Sequence, residues 1–432
     1  MTTELTHALE DAELDRLQVT TLQYYLHESN PATGLIRDKT EHGAPASIAA
    51  VGLGLATIPV LVERAVLDRE FASEIALKRL RFFRDAPQGV HPDATGHRGF
   101  YYHFLDMKTG RRVWQCELSV LDSAFLFAGM LTCATYFDAD TEEEAEVRRL
   151  ADELYRRADW QWALAGGSAL THGWRPETGF IPHTYRGYDE ALLVYLLGLG
   201  SPTFPLPEET YAAYCSTYQW KRIYDHELLY SGPLFTHQLS HLWVDFRGIQ
   251  DAFMREHGSD YFDNSRAATQ IQREYAIRNP LEFEGYGENC WGITATDGPG
   301  FEKRWVGGVE REFYGYHARG APYGPDDGTV APWVVVASLP FAPEIVIPSI
   351  RAMSRLNLGA TKRYGFKPSY NPTYEVPGSA VGWVTPYHFG IDQGPVILMI
   401  ENHRSGLLWK IMRRNPYVVA GLRRAGFRGG WL

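Results

Sequence analysis

Hydrophobic residues recur at helical spacing along most of the chain. Near the N-terminus Leu14, Leu17, Leu22, Tyr25 and Leu26 follow one another at the intervals expected for one face of a helix. Because an α-helix repeats every 3.6 residues, this spacing predicts an amphipathic N-terminal helix.

Similar patterns predict helices through the rest of the sequence. Ser47 belongs to the residue types that cap helices, and it precedes an apolar stretch that runs to about Arg64. Further helices are predicted near residues 70–84, 117–137, 142–165, 187–199, 208–222, 236–257, 260–279, 328–338, 341–357, 390–412 and 415–425. The chain therefore has about a dozen predicted helices.

Strand signals are few by comparison. The segment from Phe100 to Trp114 is typical of a β-hairpin whose turn contains Gly110, and residues 301–323 predict a second small excursion. No linker rich in proline or serine and no low-complexity block divides the sequence. We therefore expect one domain over residues 1–432.

A dozen helices in one uninterrupted chain predict an all-α fold, either an α-solenoid or a closed toroid of helical hairpins. A solenoid should show a sequence repeat of about 20 to 50 residues, and none is visible. The irregular connections, rich in glycine and aromatic residues, favour the toroid. In a toroid the helix ends and their loops gather at one face and leave a central cleft.

Composition and charge exclude several function classes. The formal charge of −10 argues against nucleic acid or an anionic membrane as a partner, while 12 Trp and 25 Tyr suit a carbohydrate surface or an interface. The four cysteines lie far apart, so we expect neither a disulfide framework nor a zinc site. The start of the sequence has no signal-like pattern and no apolar run is long enough to span a bilayer, which together favour a cytoplasmic location. The oligomeric state stays open.

The segment from Gly285 to Pro299 contains the most unusual mixture of residues. Glycines, acids, an amide, hydroxyls and Trp291 crowd into it, which neither a helix nor a strand requires. A flat apolar face beside many directional polar groups suits a sugar ring, with Tyr286 and Glu288 as further contacts. The alternative interpretation is an ordinary loop.

Acids stand at the start of several apolar helices. Glu117 and Asp122 open one of them, Glu190 precedes another, and Asp392 lies before a third inside a glycine-containing turn. Each acid alone could simply stabilise the helix dipole or cap the helix. Their repetition predicts that these helix ends converge on one site. Glu190 lies among apolar and aromatic neighbours, which raise the pKa of a carboxyl group as a general acid requires.

His237, His241 and Asp245 are spaced four residues apart, which would place them on one face of a helix. Three interpretations stay open: a metal site, a hydrogen-bonded polar stripe, and groups that bind substrate. The pattern lacks the Glu beside the first His that metallopeptidases carry. We therefore expect no metal ion and no cofactor.

Several segments together resemble a known family of glycoside hydrolases. They include Gly187-Tyr-Asp-Glu190-Ala, His237-Gln-Leu-Ser-His241-Leu-Trp-Val-Asp245, Gly285-Tyr-Gly-Glu-Asn-Cys-Trp291, and Gly390-Ile-Asp-Gln-Gly-Pro395. These motifs are similar to those of the glycoamylase-like family, and the nearest group is glycoside hydrolase family 144, whose described activity is endo-β-1,2-glucanase. The same broad family includes the cyclising domain of cyclic β-1,2-glucan synthases. The resemblance runs from about residue 20 to 428.

The resemblance implies an (α/α)6 toroid and an inverting glycosidase. One carboxylic acid would protonate the glycosidic oxygen and a second carboxylate, roughly 6.5–9.5 Å from it, would activate water. By motif, Glu190 is the general acid and Asp392 the expected general base. Glu117 and Asp122 would be supporting acids, either of which could take the place of Asp392.

The resemblance also implies a set of substrate contacts. The residues expected to bind sugar are Tyr188, His237, His241, Asp245, Tyr286, Glu288, Trp291 and Gln393. Phe204 stands where the family pattern has histidine. Exo action, another linkage, retaining transglycosylation and glucan binding without cleavage stay open as alternatives.

Overall fold

Helices make up most of the regular structure. The computed structural model describes residues 3–356, 358 and 363–432. Within these residues the α-helices are α1 Thr3–His27, α2 Ile48–Ala56, α3 Ile58–Glu63, α4 Arg69–Asp85, α5 Val120–Tyr136, α6 Glu142–Arg156, α7 Leu192–Gly200, α8 Glu209–Cys215, α9 Ala252–Glu256, α10 Tyr261–Arg278, α11 Pro332–Ala337, α12 Pro343–Arg355, α13 Gly390–Arg404, α14 Leu407–Met412 and α15 Pro416–Arg424. The mostly helical class is confirmed.

Helix α2 begins where the sequence predicts and packs closely on α5. The Ser47 hydroxyl accepts a hydrogen bond from the backbone N–H of Ala50 and so caps the helix. A Cβ atom added to Gly52 would lie 2.3 Å from the carbonyl oxygen of Phe125, and one added to Gly129 would lie 2.0 Å from that of Gly52. Only glycine allows the two backbones to approach this closely.

Several predicted helices are shorter than the hydrophobic pattern indicates. The stretch after Ser47 divides at Thr57 into α2 and α3, with Pro59 in the first turn of α3. The stretch near 390–412 divides at Gly406, whose φ of +66° ends the helical path. Buried apolar residues lie on both sides of Thr57, so the apolar pattern does not reveal the first of these breaks.

The helix predicted near residues 236–257 is wrong. Leu234–His237 and Leu239–Leu242 form short 3-10 turns, and only Ala252–Glu256 is α-helical. Residues four apart in such a broken segment do not share a helix face, so the spacing of His237, His241 and Asp245 loses its geometric meaning.

The strands are short and, by register, antiparallel. They are β1 Ala46–Ser47, β2 Gly96–His97, β3 Phe100–Tyr102, β4 Phe104–Leu105, β5 Leu118–Ser119, β6 Gly173–Arg175, β7 Gly179–Phe180, β8 Trp220–Ile223, β9 His226–Leu229, β10 Ala295–Thr296, β11 Glu302–Val306, β12 Val309–Phe313, β13 His317–Ala318, β14 Tyr370–Asn371 and β15 Trp383–Val384. One sheet has the order β2-β3-β5-β6-β7, and the other pairs are β1-β4, β8-β9, β10-β13, β11-β12 and β14-β15.

Both predicted β-excursions exist, although the first has a different partner. Strand β3 pairs with β2 and β5, and the only bridge across the predicted hairpin in the described residues joins Leu105 to Arg112. The second excursion is the hairpin β11-β12, in which the positive φ values of Gly307 and Gly308 form the turn. The predicted continuation of α8 to residue 222 is wrong, because the hairpin β8-β9 begins at Trp220.

The chain divides into two compact units, each assembled from distant segments. The first unit comprises Met1–Tyr24, Gln219–Leu239 and Tyr261–Arg404, and the second comprises Tyr25–Tyr218, Ser240–Asp260 and Ser405–Leu432. The expectation of one domain over 1–432 stays a prediction. None of the helices in the described ranges is both long and apolar enough to cross a membrane.

Candidate active site

Glu190 lies in the second unit, in the turn that leads directly into α7. Gly187 enters this turn with a φ of +92°, a conformation that L-residues rarely adopt. Asp189 is held in place because its carboxylate accepts hydrogen bonds from the backbone N–H of Ala191 at 2.9 Å and from the hydroxyl of Tyr214 at 3.1 Å. The Glu190 side chain is left half-buried at the head of the helix.

The electrostatic surroundings of Glu190 favour its protonated form. Burial raises the pKa of Glu190 well above its usual range, and the negative charges of Asp189 and Asp122 raise it further. Burial likewise raises the pKa of Asp189. A protonated carboxyl group that is still partly open to solvent is what a proton donor requires.

A second group of charged residues lies at one end of the five-stranded sheet. His103 follows β3 and Glu117 precedes β5, and the backbone N–H of His103 donates to the Glu117 carbonyl at 2.9 Å. Their side chains also meet, with His103 Nδ1 2.9 Å from Glu117 Oε1. Arg175, at the end of β6, lies 3.5 Å from the other oxygen of Glu117. Sheet register thus places these side chains together.

Asp122 extends this group to the first turn of α5. The Ser119 hydroxyl accepts from the backbone N–H of Asp122 and donates to its carboxylate at 2.5 Å. His103 Nε2 lies 3.6 Å from the same carboxylate. The structure thus confirms the helix-start position of Asp122. The same expectation is wrong for Glu117, which lies ahead of the strand because β5 separates it from α5.

The charges in this group stabilise one another unequally. Burial disfavours the imidazolium of His103, but Asp122, Glu117 and Asp38 outweigh burial and raise the pKa of His103 to about 9. Burial opposes ionisation of Glu117, yet its hydrogen bond with His103 and the charge of Arg175 lower its pKa. Burial raises the pKa of Asp38 to about 6. His103 is therefore cationic and Glu117 anionic at neutral pH.

Tyr185 connects the two groups of acids. Its pKa is raised by burial and by the charges of Glu190, Asp122, Asp189 and Glu117, all of which act on its hydroxyl. The ring stacks on His172 with 4.2 Å between centroids. Electrostatic interactions thus link the acids near Glu190 with those near His103, and we call these residues of the second unit the acid cluster: Asp38, Glu117, Asp122, Asp189 and Glu190.

Asp392 and Gln393 lie in the first turn of α13, in the first unit. Both side chains are buried, and the backbone N–H of Asp392 donates to the Phe389 carbonyl at 3.2 Å. The predicted helix start is confirmed. The helix N-terminus carries partial positive charge, which favours the carboxylate form of Asp392.

The loop from Gly285 to Pro299 is only partly open to solvent. Trp291 is fully buried and donates from Nε1 to the hydroxyl of Ser349 at 2.9 Å. The prediction of a sugar-stacking face at Trp291 is therefore wrong, because no face of its ring reaches solvent. Glu288 is exposed, whereas Tyr286 is half-buried and donates from its hydroxyl to Asp326 at 2.8 Å.

The remaining predicted sugar contacts have protein partners. His237 is buried, its Nε2 lies 3.1 Å from the Ser231 carbonyl, and burial lowers its pKa to about 4. Asp245 is buried and paired with Arg247 at 2.7 Å and with Arg413. These contacts favour the interpretation of hydrogen-bonded structural groups.

His241 and Tyr188 are also buried, in the second unit. The backbone carbonyl of His241 accepts from Trp409 Nε1 at 2.7 Å, and its ring lies 4.8 Å from that of Phe246. The Tyr188 ring packs edge-on against Tyr218 at 5.9 Å. Among the described residues no group of His, Cys, Asp and Glu has the arrangement of a metal site.

Sequence reasoning missed three members of the second-unit site. His103 and Asp38 lie outside any helix start, and Asp189 was noted only as a neighbour of Glu190. The available signal was His103 directly after the short strand β3, but its position opposite Glu117 depends on the strand register, which the sequence pattern does not provide.

Comparison with known proteins identifies the family. The sequence profile of the glycoamylase family, described as "Putative glucoamylase", matches residues 182–416, which is more than half of the chain and includes Glu190 and Asp392. The chain belongs to the glycoamylase family. This agrees with the resemblance carried by the sequence motifs.

Individual glycoamylase-family relatives cover nearly all of the chain. A crystal structure of a putative glucoamylase from Bacteroides uniformis has 32% identity, a TM-score of 0.86 and 98% coverage of both chains. An endo-β-1,2-glucanase from Chitinophaga pinensis, solved with sophorotriose and glucose, has 26% identity, a TM-score of 0.85, and coverage of 98% of this chain and 99% of its own. The chain therefore shares the fold of these proteins.

One curated relative from Parabacteroides distasonis is named an exo β-1,2-glucooligosaccharide sophorohydrolase acting at the non-reducing end. It is 28% identical over 457 residues, which cover 97% of this chain. This chain spans 58% of the length of that relative.

Proposed function

We propose that the protein is a glycoside hydrolase that cleaves β-1,2-linked glucooligosaccharides, with Glu190 as proton donor. The observation that carries the proposal is the state of Glu190, a half-buried carboxyl group whose pKa is raised by burial and by Asp189 and Asp122. The glycosidic oxygen leaves readily only when it is protonated, and an ordinary glutamate would have lost its proton at neutral pH.

The substrate class rests on the relatives. The Chitinophaga pinensis enzyme is named an endo-β-1,2-glucanase and the Parabacteroides distasonis relative an exo β-1,2-glucooligosaccharide sophorohydrolase, so both names point to β-1,2-linked glucose. They differ in whether they cleave within the chain or at its non-reducing end. Both modes need the same proton transfer to the glycosidic oxygen.

A second carboxylate must activate water if the reaction inverts the anomeric centre. We assign this role to Asp392, whose position at the start of α13 favours negative charge. Glu117 is the alternative, because His103 and Arg175 keep it ionised. Asp122 is a further alternative, held by Ser119 and His103 in the acid cluster.

The test compares four single substitutions on two substrates. Glu190→Gln should lower turnover of sophoro-oligosaccharides on the order of a thousandfold. A glycosyl fluoride of the same sugar needs no protonation of its leaving group, so Glu190→Gln should retain activity on the fluoride. The variant that removes the base should lose activity on both substrates, and we expect this behaviour for Asp392→Asn and not for Glu117→Gln or Asp122→Asn.

The stereochemistry gives an independent measurement. Proton NMR during turnover should show that the first product has the anomeric configuration opposite to the substrate bond. A first product with the same anomeric configuration as the substrate bond would show that the reaction retains this configuration and does not invert it. Near-normal activity of Glu190→Gln on oligosaccharides, in a variant that unfolds like the parent protein, would reject the assignment of Glu190.

A further inference from the structure

Trp114 is a large exposed aromatic residue beside the acid cluster. Its side chain is 67% exposed, although it lies in the loop between β4 and β5, two residues before buried Cys116. The neighbouring acid cluster uses Glu117 from the same loop. An indole ring left in solvent next to such a cluster is a feature that structural packing alone does not require.

The backbone holds Trp114 in an unfavourable conformation. Trp114 has a φ of +58° and the following residue, Gln115, a φ of +50°. Neither residue is glycine, and a bulky residue in this left-handed region is rare because its side chain crowds the backbone. Two successive residues of this kind persist only where the surrounding structure imposes them, which occurs often at ligand sites.

Arg112 imposes this conformation from inside the protein. Its guanidinium is buried and donates to the carbonyl oxygens of Gln115 at 2.6 Å and of Cys116 at 2.5 Å. It also forms a two-point ion pair with Glu177, at 2.6 Å and 3.1 Å. Arg112 therefore holds the backbone of this loop in place, and the side chain of Trp114 extends into solvent.

A continuous row of rings joins Trp114 to the acid cluster. The Trp114 ring lies 5.2 Å from that of Phe104, and Phe104 stacks on His103 with 3.8 Å between centroids. His103 in turn contacts Glu117 and Asp122. The exposed indole thus lies within two ring contacts of the charged residues beside Glu190.

We propose that Trp114 is a stacking platform for one glucosyl unit of the substrate, outside the unit cleaved at Glu190. This inference rests on the proposed glycosidase function, because the row of rings leads to its acid cluster. The flat apolar face of an indole suits the apolar face of a pyranose ring. An oligosaccharide that reaches Trp114 gains this contact, and a shorter one does not.

The experiment measures chain-length dependence in two Trp114 variants. Trp114→Asn removes the ring, while asparagine tolerates the left-handed backbone, so the loop is preserved. Trp114→Phe keeps a smaller ring. Trp114→Asn should raise KM on the order of tenfold for the longer sophoro-oligosaccharides and leave kcat and the KM of the shortest cleaved substrate nearly unchanged. Trp114→Phe should recover most of the loss.

The matched control is Trp305→Asn. Trp305 is likewise a highly exposed tryptophan, at 74%, and it lies on strand β11 of the first unit. Its removal should leave KM unchanged at every chain length. An equal rise in KM for all chain lengths in Trp114→Asn, or an unchanged KM, would overturn the platform.

Binding separates this inference from the proposed function. Calorimetry with a sophoro-oligosaccharide in a Glu190→Gln background should show binding that Trp114→Asn weakens on the order of tenfold. Binding that depends on Trp114 without any cleavage by the parent protein would reject the hydrolase and keep the platform. Cleavage with binding that ignores Trp114 would reject the platform alone, and no glucan binding at all would reject both.

Discussion

Asp327 in the first unit and Glu190 in the second unit have opposite electrostatic surroundings. In the first unit Asp327 is fully buried and paired with fully buried Arg319 at 2.6 Å. Its neighbour Asp326 accepts hydrogen bonds from the hydroxyls of Tyr286 and Tyr275 at 2.8 Å and 3.1 Å, although burial raises the pKa of Asp326 to about 6. In the second unit Glu190 faces other acids, whose charges raise its pKa.

The contrast is between an acid that is paired with a positive charge and acids whose negative charges repel one another. Asp327 has a countercharge in Arg319 and accepts a further hydrogen bond from the backbone N–H of Tyr314. Glu190 and Asp189 lie side by side, and burial disfavours the charge of both. A carboxyl group with a raised pKa is what a proton donor requires. The comparison therefore supports the proposal that Glu190 is the proton donor.

Replacement of Arg319 should have the largest effect on stability. Arg319→Met leaves Asp327 as a buried charge without its partner and removes donors from the carbonyls of Thr296 and Tyr314. Loss of one member of a buried pair lowers the free energy of unfolding by about 3–5 kcal/mol. Urea unfolding measures this loss.

The control for Arg319 is an exposed pair of the same unit. Arg266 and Glu344 are each 47% exposed and lie 2.6 Å apart. Arg266→Met should cost about 1 kcal/mol or less from the lost ion pair, because water screens such pairs. Equal losses in the two variants would show that burial does not distinguish these pairs.

Trp291→Phe should have a smaller effect, and on stability alone. The change removes the hydrogen bond to Ser349 and leaves a small cavity, which together lower the free energy of unfolding by about 1–3 kcal/mol. A double-mutant cycle with Ser349→Ala isolates the hydrogen bond. KM for oligosaccharides should not change. A selective rise in KM would return Trp291 to the substrate site and weaken the contrast between the units.

Sequence patterns predicted helices and helix caps well, because both are local. The cap at Ser47, the Asp122 turn and the start of α13 at Asp392 depend on neighbouring residues only. The broken segment after Leu234 was missed because burial on all sides resembles helical periodicity.

The candidate site was predictable only where its members mark helix starts. Glu190 and Asp122 carry such marks, whereas His103 and Asp38 join the cluster through contacts between distant segments, such as β3 with β5. Trp291 shows the opposite error. Its glycine-rich surroundings suggest a sugar platform, yet Gly292 allows close packing, because a Cβ there would lie 2.8 Å from the Val335 side chain and 3.0 Å from the Ala331 carbonyl oxygen.

Asp189→Asn tests whether the negative charge of Asp189 raises the pKa of Glu190. Asparagine keeps the acceptor oxygen for Ala191 and Tyr214 but removes the negative charge beside Glu190. The pKa of Glu190 should fall, so the alkaline limb of kcat/KM, where the proton donor is lost, should move to lower pH by about one unit or less.

The same change should also alter the free energy of unfolding, in a direction that depends on pH. A carboxyl whose folded pKa is raised contributes fully below its unfolded pKa, and this contribution is lost as pH rises through the folded pKa. Asp189→Asn removes one such carboxyl group and lowers the raised pKa of a second, Glu190. The variant should therefore be more stable than the parent protein above neutral pH, and this gain in stability should disappear in acid. Glu74→Gln, an exposed change of the same charge on α4, should move neither the limb nor the stability curve. An unmoved alkaline limb in Asp189→Asn would mean that burial alone, without the neighbouring charge, sets the protonation of Glu190.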